Sequence, residues 1–542
     1  MATTRRRFIQ RSAIGTGAAL FGERAAIADP AGVRRPAPTA TIAPTSASLK
    51  DLDGSPLLAF EPFLAAAIDA ATQGGATFAE ARAMELRRES LKVRDLHVSG
   101  VRRTQSAGVG VRVIAGGAWG FAAGQVHSVA DAQVLASRAV KTATLNAALL
   151  RAPVEWAAEA PARARWIAPH VRDPFEVPLE EKTTKLMGWT RAALSISGVS
   201  YAAASVATVR EEKLLLNSEG TRLHQRYFRI APSLSATAVD RRSGAFASRS
   251  YEVPPMLAGW EFVDHAGIDA DAATVGVDVL RKLHAPSVTP GPRTVILAPS
   301  NLWLTIHESI GHPTELDRSR GFEANYAGTS FIKPDDAGRL VLGSDLVDVR
   351  ADRTQPGGLA TTGWDDDGVP AQRWEMVDGG RFVGWQTTRD QVGWTGDARS
   401  RGCSYSSGFD KVPFQRMPNI SLQPHASGYA TEDLINATDD GILITGRGSW
   451  SIDQQRYNFQ FSGQMFWEIK NGRVVRPLRD VGYQANTVDF WRSCDMVGGA
   501  GTYRLFGTFS DGKGEPGQSN AVSHGCPPAR FRVNIVNTKG ES

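Results

Sequence analysis

Thr294-Val295-Ile296-Leu297, then Pro299-Ser300, then His307-Glu308-Ser309-Ile310-Gly311-His312-Pro313: this stretch carries the strongest chemical signal in the chain and sets its architecture. Thr294 to Leu297 has the β-branched, apolar character of a buried strand. Pro299-Ser300 offers a helix start, because proline in the first turn lacks only an N–H that would have no partner there. The helix would then present H-E-x-x-x-H. Beyond it the pattern changes to short strands and Gly-rich turns as far as Val536, so the C-terminal half reads as β-rich around one important helix.

The two histidines stand one residue further apart than in the common zinc-peptidase motif H-E-x-x-H. In a regular helix five positions turn about 500°, which leaves the rings roughly 140° apart, too far round to share an ion. A local π-bulge widens the turn and returns both rings to one face, and such bulges favour functional sites. Gly311 permits that distortion, and Pro313 ends the regular helix. Neutral imidazoles of His307 and His312 then bind Zn²⁺, and Glu308 accepts a proton from the activated water. The opposing reading is a chance grouping of surface residues. With 10 His in 542 residues, this six-residue pattern arises by chance in about one chain in a hundred.

Upstream, Phe63, Leu64, Ala67, Ile68 and Ala71 have helical spacing, which Gly74-Gly75 ends. Val109 to Val113 alternates like a strand and turns at Gly116-Gly117 into Trp119 and Phe121. Ser128 with Asp131 reads as a helix N-cap before a run towards Leu149. A further helical pattern spans 179–194. Residues 213–217 and 221–227 flank Ser218-Glu219-Gly220 as a hairpin. Residues 56–245 therefore read as an N-terminal α+β domain, 246–290 as a connecting segment with a helix over 267–285, and 291–542 as a β-rich C-terminal domain. The fold class is α+β.

Hydrophobic residues make up 42% and charged residues 22%, which excludes a disordered chain. No run of 18 apolar residues occurs, which excludes a polytopic helical membrane protein. Of the formal charge of +5, residues 1–28 hold +4, five arginines against Glu23, so the remainder is close to neutral and nucleic-acid binding loses its support. Thr4-Arg5-Arg6-Arg7-Phe8-Ile9-Gln10 resembles the twin-arginine export consensus. A mild apolar stretch and Ala26-Ile27-Ala28 follow in the order a cleaved signal requires, so residues 1–28 are expected to be a signal peptide and the destination the periplasm or beyond. Residues 29–55, with Pro30, Pro36, Pro38 and Pro44, read as a flexible tether. Cys403, Cys494 and Cys526 are too few for a disulfide framework, although one pair could oxidise.

His307-Glu308-x-x-Gly311-His312-x-x-Glu315-x-Asp317 resembles the signature of the TldD/PmbA family, the modulator-of-gyrase metallopeptidases. Gly108 to Arg112 with Gly120-Phe121, and Asn217 to Gly220, are similar to that family's N-terminal domain. Asp365-Asp366-Asp367-Gly368-Val369-Pro370, Arg401 to Tyr405, Pro413 to Asn419, Gly512-Lys513-Gly514 and Val522 to Gly525 are similar to its later blocks, in the expected order. Because H-E-x-x-x-H is kept, the chain resembles the catalytic TldD-type branch rather than the metal-free one. The resemblance implies a two-domain α+β subunit, a homodimer or a heterodimer with a related PmbA/TldE-type chain, an enclosed metal site, and short or unfolded peptide substrates.

One position departs from the pattern. Where the family commonly has a cysteine before Gly-Lys-Gly as third metal ligand, this chain has Asp511. His₂-carboxylate is an established catalytic set, and the harder oxygen also admits Mn²⁺ or Fe²⁺. His524 and Cys526 are rival third ligands. Glu315 and Asp317 read as carboxylates that orient His312 or cap the helix, and the other seven histidines as structural or surface residues. Two further functions stay open: a metal-poor peptide-binding subunit, kept alive by Asp511, and a non-peptidic metal amidohydrolase.

Overall fold

A computed structural model describes residues 49–539. The expected signal peptide (1–28) and most of the expected tether lie outside the described residues. Where the tether enters them, its last residues are ordered. Leu49–Leu52 forms a 3₁₀ turn, and Leu52 is buried against Ile167 and Phe228. Ser55 caps the next turn by accepting from Leu57 N and donates to Glu212. The ordered domain thus begins before residue 56, because Leu52 has an apolar pocket to fill.

Strands β1 (Phe78–Arg94), β2 (His97–Ala115), β3 (Ala118–Gly124), β4 (Arg163–Ile167), β5 (Val199–Asn217), β6 (Arg222–Val239), β7 (Phe246–Ser250) and β8 (Met256–Leu257) form one sheet. Its order is β3-β2-β1-β5-β6-β4, with β7 and β8 also on β6, and only the β4–β6 pair is parallel. Helices α1 (Glu61–Gln73) and α2 (Val129–Ala147) cover one part of it. Ser128 caps α2 by accepting from Asp131 N, as its sequence predicts. Helices α3 (Leu179–Leu194), α4 (Glu261–His265) and α5 (Ile268–His284) build a second core with β5 and β6. The stretch 246–290, expected to connect two domains, therefore belongs largely to this layer: two of its strands extend the sheet, and α5 buries Val275, Val279 and Leu283 against it.

The alternation in β2 explains the Gly-x-Gly there. Val109, Val111 and Val113 join the apolar core with α1 and α2, so Gly108, Gly110 and Arg112 face the other way. On that face a Cβ at Gly108 would stand 2.6 Å from the Phe409 ring and one at Gly110 2.4 Å from the Phe409 carbonyl oxygen. The glycines let the C-terminal half press directly onto the sheet. Arg112 joins Asp367 across this contact, and Lys213 joins Asp366.

The second sheet contains β9 (Gly291–Leu297), β10 (Asp440–Ile452), β11 (Asn458–Lys470), β12 (Arg473–Leu478) and β13 (Val481–Asn486). A separate two-stranded ribbon follows, β14 (Arg504–Lys513) with β15 (Gln518–Cys526), and then β16 (Ala529–Asn537) returns to the second sheet. The order is β10-β9-β16-β13-β11-β12, and β10 pairs with β11 as well. That pairing closes a ring of five strands and leaves none of the five with two free edges' worth of unpaired backbone. Helix α6 (Pro299–Ile306) leaves the end of β9 and is buried along its length from Ser300 to Ile306. Leu302, Ile306 and Ile310 enter the main core with Phe461, Phe490 and Phe531. Each such side chain stabilises the fold by about 1.5–3 kcal/mol. The polar Asn301 is tolerated because it donates to the carbonyls of Gly446 and Ser462, 2.9 Å each, and accepts from Tyr483.

Candidate metal centre

After α6 the chain does not continue as a regular helix. His307–Gly311 is a π turn, closed by the His312 N–H donating to the His307 carbonyl, five residues back. Pro313 then starts a 3₁₀ turn over His312–Thr314. The wider turn places the His307 and His312 rings 4.6 Å apart between centroids. Gly311 serves a different purpose from the one its sequence suggests. Its φ of −55° is open to any residue, but a Cβ there would meet Met417 Sδ at 2.6 Å. Close packing against the Met417 side chain, and not backbone freedom, favours glycine here.

Both imidazoles are fixed through Nδ1. His524 Nδ1 lies 2.8 Å from the Ile420 carbonyl, an acceptor, so His524 donates there. Its Nε2 lone pair therefore accepts from His307 Nδ1–H at 2.8 Å. His312 Nδ1 faces Glu315 Oε2 at 3.4 Å. Glu315 is itself held by Arg318 at 2.9 Å and faces Lys513 at 3.6 Å. Each ring thus turns its Nε2 lone pair inwards, and each Nε2 stands 3.5 Å from one atom, Asp511 Oδ1.

Three acceptors converge with no donor between them. For metal–ligand bonds of about 2.0–2.2 Å, neighbouring ligands on a tetrahedron lie roughly 3.4 Å apart, so the observed spacing fits a divalent cation. Burial opposes charge on His307, but the contact with Asp511 outweighs it and raises the pKa. Burial, with Arg456 nearby, pushes His312 down to about 4. The Asp511 carboxyl is held well below the usual range: burial works against this, and His312, His307 and Arg416 overcome it.

Asp511 owes its place to a register shift in the β14–β15 ribbon between Thr508 and Asp511. Arg416 donates to both its backbone and side-chain oxygens. The two rival ligands are placed elsewhere. His524 uses both ring nitrogens in the relay to His307, and Cys526 lies in the main core with Sγ towards the Pro299 carbonyl. All three cysteines are free and buried. Glu315 does orient His312, whereas Asp317 pairs with Lys513 at 2.8 Å.

Glu308 is buried beside the histidines, and its carboxylate accepts from Arg456. Ligand atoms of His307, Glu308 and His312 all lie within 4.8 Å of one another. Sequence reading missed Arg456. It sits in the β10–β11 turn with φ +65°, a left-handed conformation that costs a non-glycine residue about 1–2 kcal/mol. Asp453 holds that turn by accepting from the Gln455, Tyr457 and Asn458 N–H groups. An arginine in a polar turn carries no sequence signal for such a role.

The sequence matches three consecutive family descriptions. Residues 79–143 match PmbA/TldA metallopeptidase domain 1, residues 172–283 its central domain and residues 290–536 its C-terminal domain. The chain belongs to the PmbA/TldA metallopeptidase family. A relative named Metalloprotease from Methanothermobacter thermautotrophicus is 25% identical over 459 residues, 85% of this chain and 95% of its own length. A zinc metalloprotease TldD homolog from Saccharolobus solfataricus is 23% identical over 305 residues, 55% of this chain and 63% of its own. Two crystal structures share the fold at 16% identity, each covering 88% of this chain and 100% of its own: a modulator of DNA gyrase from Thermotoga maritima, TM-score 0.68, and TldE from Thermococcus kodakarensis, TM-score 0.65. Like its metalloprotease relatives, this PmbA/TldA member is expected to need a metal.

Proposed function

We propose that this chain is a metal-dependent peptidase that hydrolyses short or unfolded peptide segments. The observation that carries this reading is the convergence of His307 Nε2, His312 Nε2 and Asp511 Oδ1 on one point beside the buried Glu308. A divalent ion held by these three, Zn²⁺ first and Mn²⁺ or Fe²⁺ as alternatives a carboxylate admits, would supply Lewis acidity towards the peptide carbonyl and the attacking water. Glu308 takes the proton of that water on a carboxylate oxygen and passes it to the leaving amine. Arg456 holds the carboxylate in orientation for this. His524 and Glu315 hold the two rings in the tautomers that leave Nε2 free. A centre as buried as this one admits an extended peptide and excludes a folded domain.

Glu308→Gln separates binding from chemistry. It is expected to keep one metal ion per chain and to lose peptide hydrolysis by about 10²–10⁴-fold. A wild-type chain that takes up no metal would instead support a peptide-binding subunit, and one that cleaves simple amides but no peptide would support an amidohydrolase. We also propose that the chain works as a dimer, with itself or with a related PmbA/TldE-type chain, and is exported through its N-terminal arginine pair. Native protein beginning near Asp29, and retention of an Arg5→Lys, Arg6→Lys variant in the cytoplasm, are the expected results. No helix among the described residues is long and apolar enough to cross a membrane.

A further inference from the structure

Trp303 on α6 and His307, the residue that follows this helix, are four positions apart, and their rings stand 6.4 Å apart between centroids. On its other side Trp303 lines a cavity of about 670 Å³, bounded by β7 and the end of α5 on one hand and by the β10–β11 pair on the other. That volume lies within the range of ligand sites. Phe506, whose register partner is His524, also lines it. The cavity and the metal centre are therefore neighbours that share two walls.

The charges lining the cavity are unequal. Lys282, Arg447, Arg479 and Lys539 stand against Glu252 and Asp480. Both carboxylates are engaged from within the fold. Glu252 is paired with Arg249 and accepts from Ser300 and Thr445. Asp480 is paired with Arg479 and Lys539 and accepts from Ser287. Arg447 and Lys282 remain, and neither has a carboxylate within ion-pair distance among the described residues. Lys282 donates only to the Ser248 carbonyl, at 3.0 Å. Burial, then Arg249, lowers its pKa to about 8, with Asp480 acting in the opposite sense. The Arg447 guanidinium stands over the Trp450 ring at 4.2 Å and the Trp303 ring at 5.8 Å, which fixes it at the rim. Arg447 and Trp450 pair with Gly463 and Phe461 and flank a register irregularity in β10, a feature common beside active sites.

We infer that this cavity is a substrate subsite for an acidic residue, whose carboxylate is taken by Arg447 and Lys282 while the bond to be cleaved lies at His307, His312 and Asp511. The inference rests on the peptidase reading and adds a substrate class to it: peptides with Asp or Glu near the cleavage point. The half-buried Lys282 attracts a carboxylate more strongly than it would in open water, and the exposed Arg447 adds a second cation at the rim. The stacked guanidinium keeps its planar edge free for bidentate contact.

The test is a set of peptides in which Glu is moved one position at a time on either side of a fixed bond, each matched to a Gln peptide. Hydrolysis by the zinc-loaded full chain is expected to favour Glu at one position by about ten- to a hundred-fold in kcat/KM, the effect of one charge-assisted contact. Arg447→Met and Lys282→Met should each bring that Glu-to-Gln ratio towards one, and Arg447→Lys should retain much of it. Binding to the Glu308→Gln chain, followed by calorimetry with the same pair, gives a second readout that needs no turnover. If no peptide is cleaved, the peptidase reading fails, and tighter binding of the Glu peptide still supports the subsite. Equal cleavage of Glu and Gln peptides at every position, or a ratio unmoved in both Met variants, would overturn the inference.

Discussion

Two of the protein's buried charge clusters are built in opposite ways, and the contrast between them separates architecture from chemistry. Where the first sheet meets the C-terminal half, Glu80, Glu211, Asp366 and Asp367 each lie against a cation: Arg82 or Arg112, Lys213 or Arg229, Lys213, and Arg112. Asp365 has no such cation but accepts three backbone N–H groups, while burial and the charge of Asp367 push its carboxyl well above the usual range. At the candidate metal centre the pattern is reversed. Three lone pairs are aimed at each other, and the cations present, Arg456 and Arg416, sit behind Glu308 and Asp511 instead of between the three. Paired buried charge specifies how two layers dock; unpaired buried acceptors specify a ligand.

This contrast can be broken by substitution. The largest effect is expected at the acceptors. His307→Ala or His312→Ala should abolish stoichiometric metal binding while leaving a folded chain, and Asp511→Ala should weaken it where Cys526→Ala does not; elemental analysis after reconstitution reads all four. At the docking layer the opposite holds. Asp366→Ala removes one of the two carboxylates on the buried Lys213, which keeps Glu211 at 3.1 Å, and should lower unfolding free energy by about 1.5–3 kcal/mol in a denaturant titration, with metal affinity unchanged in the protein that remains folded. If instead Asp366→Ala released metal and His307→Ala unfolded the chain, the division drawn between the two clusters would be wrong.

Glu212 sharpens the same point. Burial raises its pKa, but hydrogen bonds from His224, Arg226 and Ser55 outweigh that and bring it to about 2 from 4.5. A carboxylate whose folded pKa is depressed stabilises the fold above its unfolded value, and the contribution is lost as the proton binds. About 3 kcal/mol should therefore disappear between roughly pH 4.5 and pH 2. The Glu212→Gln chain should show a flatter stability profile across that window, and an unchanged profile would discount the network. The smallest effect is expected at His524→Ala, which leaves the three acceptors in place but removes the partner of His307 Nδ1. Metal affinity should fall by about 10–100-fold, measured by competition with a chelator.

Local structure was legible in the sequence wherever one short pattern carried it. The α1 stripe Leu64, Ala67, Ile68 and Ala71, the Ser128 cap, the hairpin at Ser218-Glu219-Gly220 and the strand–helix unit from Thr294 all follow from periodicity and turn chemistry that span a few residues. The π turn was legible too, because a five-residue histidine spacing has only one helical solution that shares a face. Tertiary structure alone decided which distant residues complete the centre. His524 reaches His307 across 217 positions, Arg456 reaches Glu308 across 148, and Arg416 reaches Asp511 across 95. His524 and Arg416 fall within stretches that resemble the family's blocks and Arg456 in none, but nothing local marks what any of the three touches, because a hydrogen bond between remote strands leaves no periodicity behind. The same limit misplaced two boundaries. Leu52 and the strands after residue 245 read locally as tether and connector, and they became part of the first layer only because a sheet edge and an apolar pocket were there to receive them.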